Sequence, residues 1–110
     1  MSKATYWQRG ETLDYENTGT AIIEANTIIA FGEHIGIAGT DIMPGEIGTL
    51  HVASVFEMPK TAAGAVEMGT SVYFDGEGIT DTEGEDTIFA GYAAQAAAAS
   101  DTVILVKLAG

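Results

Sequence analysis

Apolar and polar residues alternate over short stretches along this chain, never over the length of a helix. Glu11-Thr12-Leu13-Asp14-Tyr15-Glu16 alternates polar and apolar, the pattern of a half-buried strand. Asn17-Thr18-Gly19-Thr20 then reads as a turn. Ala21 to Ile23 and Thr27 to Phe31 are short apolar runs, and Gly32-Glu33-His34 turns the chain into Ile35-Gly36-Ile37-Ala38. Pro44-Gly45 suits a type II turn, with glycine supplying the positive φ. Thr49 to Met58 reads as the longest strand, stopped by Pro59. Lys60 to Ala65 is a connector. Thr70 to Asp75, Thr87 to Ala93 and Thr102 to Leu108 complete the expected strands.

These marks come in the same order twice. Glu24 is followed five residues on by Ile29 and seven on by Phe31; Glu67 is followed likewise by Val72 and Phe74. Gly36-Ile37-Ala38 answers Gly91-Tyr92-Ala93, and ten residues after each glycine stands an acid, Glu46 or Asp101. Each copy closes on a strand, Thr49 to Val52 or Thr102 to Val106. Such self-similarity decides a fold before any single segment does. It also arbitrates Ala93 to Ser100. Alanine propensity there favours a helix, but those residues take the place of Ala38 to Gly45, which holds a Pro-Gly turn. The expectation is a strand end and a compact loop, with at most one helical turn. The predicted fold is all-β, a small barrel or sandwich of short strands built from two related strand–turn–strand units. A single domain over 1–110 is expected. Residues 1–10 form an arm, 21–58 the first unit and 65–108 the second, with an acidic insertion at 75–86.

Composition narrows the function. The chain has 110 residues, enough for one modest core. It has no cysteine, so disulfides and thiolate chemistry are excluded. Its apolar runs are too short to span a membrane as a helix, and its start lacks the apolar stretch of a signal peptide. Sixteen acids face four basic residues, a net charge of −12. Such a chain is repelled by nucleic-acid phosphates, so no nucleic-acid partner is expected. Yet the first ten residues hold Lys3 and Arg9 and no acid, together with the only tryptophan, Trp7, beside Tyr6.

Few residues point to chemistry. His34 and His51 have no spacing that would gather further ligands or a catalytic partner; they read as a turn histidine and a strand histidine. Counted from Asp75, an EF-hand loop would need an acid at Ile79, a glycine at Thr80 and a glutamate at Asp86. The match fails there, and a solvated acidic hairpin is the plainer reading. No Gly-x-Ser-x-Gly elbow and no Gly-Lys phosphate loop occurs. No catalytic residue, metal ligand or cofactor is assigned. Tyr6, Trp7 and Arg9 remain. Aromatics and arginine dominate contact hot spots, and a basic aromatic arm on an acidic body suits docking to a shell or a neighbouring subunit. The competing reading is an ordinary first strand whose Trp7 caps the domain's own core.

The start from Ala4 to Tyr15 resembles a known family. So do Gly36-Ile37-Ala38, Pro44 to Val52, Val55 to Lys60, Gly91-Tyr92-Ala93 and Asp101 to Leu108. The family is that of small tailed-phage and prophage capsid decoration, or cement, proteins. The resemblance runs the length of the chain and rests on the order of its turns and strand edges. It implies a small β protein without enzymatic activity, on the outer capsid surface of the virion. The protein would be assembled in the bacterial host cytoplasm. The implied partners are the major capsid protein and other copies of itself, commonly as a homotrimer. Some members are labelled recombinases of the RecA/RadA type. The missing phosphate loop and the acidic charge give that label no support. A tail or adhesion module binding a host surface ligand is the alternative; a trimeric β enzyme with an interfacial carboxylate site is a third.

Overall fold

The computed structural model describes residues 2–109; Met1 of the expected arm and Gly110 at the end of the expected domain lie outside the described residues. The fold is all-β, with no helix among the described residues. Strands β1 (Thr12–Glu16), β2 (Ile28–Phe31), β3 (His34–Ala38) and β4 (Ile47–His51) form an antiparallel sheet ordered β1-β4-β3-β2. Strands β5 (Val55–Pro59), β6 (Ser71–Phe74), β7 (Ile79–Thr80), β8 (Ile88–Ala93) and β9 (Val103–Leu108) form a second sheet ordered β5-β9-β8-β6-β7.

The repeat is visible bond by bond. β1 pairs with β4 as β5 pairs with β9, and β2-β3-β4 answers β6-β8-β9. Ile23 exchanges backbone bonds with Ile42, and Val66 does so with Ala97. Asn26 and Gly69 occupy equivalent places, both with positive φ, and donate to Ala38 and Ala93 respectively. Asparagine is among the few residues that tolerate this backbone without being glycine. Thr12 to Phe31 thus aligns with Val55 to Phe74 at one constant offset. The ladders open the repeat at β1 and β5, upstream of where the residue pattern opens it.

Thr49 to Met58 is not one strand. The ladder breaks after His51, and the chain passes from the first sheet to the second through Val52, Ala53 and Ser54. Ser54 sits at φ +86°, in the left-handed region. Nothing in that run of residues is a glycine or proline, so the corner leaves no local mark. Pro59 is tolerated as the last residue of β5 because β5 lies at the sheet edge. The alanine run forms no helix. Ala93 ends β8, Ala97 bridges Val66, and Asp101 Oδ2 accepts a bond of 2.8 Å from the Ala98 N–H. Glu46 makes the matching bond to the Met43 N–H in the first unit.

Two apolar cores result. The larger is the interior of the second sheet: Met58, Val66, Val72, Ile79, Ile104, Val106 and Leu108, with Ile35 and Ile37 entering from β3. The smaller holds Ile29, Ala38, Leu50 and Val52, with Tyr15, Ile23 and Phe31 against it. Gly36 permits this packing, since a Cβ there would lie 2.6 Å from Leu50 Cγ. Gly91 stands at the equivalent place on β8, at φ +146°, where a Cβ would strike the Lys107 carbonyl. Next to it the β6–β8 register shifts, because Ala90 is an extra residue.

Asn17 is the buried polar side chain among the described residues. Its Nδ2 donates to the carbonyls of Ala21 (2.8 Å) and Ile42 (2.9 Å), and its Oδ1 accepts from the Gly19 N–H at 3.0 Å. Lys60 stands at the equivalent place and donates through Nζ to the Ala62 carbonyl at 2.8 Å. Each clamps the exit of the unit's opening strand. Asn17→Ala removes three side-chain bonds and leaves the Ile42 carbonyl with the Ile23 N–H alone, which costs about 2 kcal/mol. The melting temperature is expected to fall by about 10 °C, read by thermal denaturation; a fall under about 2 °C would deny the clamp its role.

Candidate functional site

The arm carries no strand from residue 2 to Gly10. Tyr6 is 80% exposed and Trp7 is 87% exposed. Neither belongs to a core cluster. The arm's base is tied back along the chain: Gln8 Nε2 donates to the Thr12 carbonyl at 3.4 Å, and Arg9 Nη2 pairs with Glu11 Oε1 at 3.0 Å. That pair is solvent-exposed and contributes little to stability. Trp7 therefore does not cap its own domain, and two large aromatic side chains face solvent on the cationic end of an acidic chain.

A second feature had no counterpart in the residue pattern. An open pocket of about 220 Å³ lies at the mouth of the first sheet. Leu13 of β1, Phe31 of β2, His34 and Ile35 of β3, Val52, and Phe89 of β8 line it. Its lining is apolar apart from His34, whose ring stacks at 5.9 Å from that of Phe31. His51 packs against Phe56 at 5.8 Å and lies over Gly39. Neither histidine meets a carboxylate partner in an ion pair, and among the described residues no His, Asp and Glu cluster could hold a metal ion.

The acidic segment divides in two. Residues 81–86 are exposed, as a solvated hairpin would be. Ile79 is not: it is fully buried, on β7, in the larger core. β7 adds to the edge of β6 through Tyr73 with Thr80 and Phe74 with Ile79. On its other side Ile79 bridges Lys60, just beyond β5, and accepts the Thr61 N–H at 2.8 Å. The insertion thereby joins the two edges of the second sheet. The signal was in the sequence: Ile79 is the only large apolar residue between Asp75 and Asp86.

Asp75 holds the entry to this segment. Its Oδ1 accepts the N–H groups of Glu77 and Gly78, both at 2.9 Å, and its Oδ2 accepts the Thr61 hydroxyl at 2.6 Å. The Thr61 bond is the main cause that holds the Asp75 carboxyl below its ordinary value of 3.8; partial desolvation opposes it and the backbone bonds add to it. The stabilisation is present above the unfolded value and is lost as pH falls through the lower folded one. Thr61→Val is expected to raise the Asp75 midpoint and shrink the loss of stability below pH 3.8, as read by carboxyl NMR titration and acid unfolding. An unmoved midpoint would remove Thr61 from that role.

The surface thus offers an exposed basic aromatic arm and an apolar mouth. Comparison with curated proteins and with solved structures gave no match. A family model described as phage cement protein matches residues 7–108, from Trp7 to the end of β9. The chain therefore belongs to the phage cement protein family, a class of capsid-associated structural proteins.

Proposed function

We propose that this protein decorates the outer surface of a tailed-phage capsid and stabilises the shell, acting as a homotrimer on the major capsid protein. The family match over residues 7–108 carries the reading. Its physical logic follows from the body and the arm. A shell filled with DNA is stressed from inside. A rigid oligomer seated across its joints adds contacts that must break before the shell opens, and many modest contacts become strong together. The doubled β unit, with two apolar cores, provides rigidity. Tyr6, Trp7 and Arg9 are the candidate contact residues, for the shell or for a neighbouring subunit, because the aromatics are exposed and the arm is cationic. The acidic tip at 81–86 would face solvent. The role is structural, without enzymatic activity.

Purified protein is expected to bind expanded shells that lack it, to saturate, and to raise the temperature at which those shells rupture. Trp7→Ala, or deletion of residues 2–10, is expected to weaken binding by about 2 kcal/mol, roughly thirtyfold in Kd, while the body keeps its circular dichroism and melting temperature. Absence of shell binding across low and moderate salt would defeat the proposal. Localisation at the tail by labelled electron microscopy would favour an adhesion module instead.

A further inference from the structure

One difference between the two units leaves a vacancy in the fold's own pattern. In the second unit, β7 lies along the β6 edge, and Ile79, paired with Phe74, is buried in the same core as Leu108, against which Phe56 and Phe74 also pack. The residues at the equivalent positions of the first unit are Leu13, Phe31 and Val52. There the chain passes from β2 to β3 through Gly32 and Glu33 alone, so no strand answers β7. Among the described residues no strand pairs with the outer edge of β2, and Leu13, Phe31 and Val52 line the pocket of about 220 Å³.

We propose that a second copy of this chain supplies the missing element: the arm of one copy lies as a short strand against β2 of the next and places Trp7 in the pocket. The inference deepens the homo-oligomer reading above and rests on it for self-association. An extended segment that adds to a sheet edge gains main-chain bonds, while a pocket takes one of its side chains. The second unit already uses this arrangement within one chain. Trp7 is the largest exposed apolar side chain, and the pocket is on the scale of one large aromatic.

Charge selects the arm as the occupant. The bodies of two copies repel, since all sixteen acids lie there. The arm carries Lys3 and Arg9 and no acid, and the acids Glu11, Asp14 and Glu33 flank the residues of the mouth in sequence. Attraction between arm and mouth offsets the repulsion between bodies at the point of contact. The base of the arm bonds to the first residues beyond it, Gln8 to Thr12 and Arg9 to Glu11, and no arm residue lines the chain's own pocket. An arm passed from each copy to the next is a head-to-tail contact, which closes into a ring when the rotation allows.

Trp7 is the only tryptophan, so its emission reports its own burial. On diluting the full chain, Trp7 emission is expected to shift to the red in step with a fall in mass measured by light scattering. Leu13→Glu, at a side chain 38% exposed, places an acid in the mouth without opening the core. It is expected to move the midpoint of both transitions at least about tenfold higher in concentration. Leu13→Met is expected to leave the midpoint in place, which separates blocking of the mouth from loss of the fold. Water-exposed emission at every concentration, a blue-shifted monomer whose arm docks on itself, or oligomers indifferent to Leu13→Glu would each overturn the proposal. A monomer that still saturates shells would sink this inference and leave the decoration role standing. Arm exchange in a protein that ignores shells would do the reverse.

Discussion

Strand β3 is buried on both faces, and the rest of the molecule is arranged around that constraint. Ile35 and Ile37 point into the core of the second sheet, while Gly36 and Ala38 face the small core of the first. Burying an isoleucine side chain is worth about 2 kcal/mol by transfer, so this pair couples the two units more strongly than any polar contact between them. The opposite face has to be small. Leu50 lies so close over Gly36 that any side chain there would displace it. One strand thus supplies bulk to one unit and clearance to the other.

The two copies differ in what lies along the edges of β2 and β6. The first opens on its second face and keeps an apolar pocket. The second takes an acidic insertion, and the one apolar residue of that insertion closes it. Their clamps differ in the same spirit. Asn17 is enclosed and makes three bonds; Lys60 does the equivalent work from a half-buried position, with its ammonium toward backbone carbonyls. A shared ladder therefore carries unlike side chains, and the ladder is what the units have in common.

For a structural protein of a capsid this division is apt. The interior is apolar and rigid, the acids are held at the surface, and the cations are concentrated on the arm. Net negative charge keeps free copies apart in solution, so association depends on particular contacts rather than general stickiness.

Local pattern determined much of this protein. Strand alternation, the turns at Gly32 and Gly45, and the repeated marks made the all-β fold and the repeat legible, and overruled helix propensity in the alanine run. The arm stood out because its charge and aromatics differ from everything after it. These are properties of neighbouring residues, which a sequence displays directly. The corner at Ser54 was invisible, because nothing local forbids Val52 to Met58 from continuing as one strand; only the separation of two sheets breaks it. The pocket was invisible for a similar reason. It is defined by the absence in one unit of what Ile79 does in the other, and that absence has meaning only once β1, β2 and β8 stand around the same space.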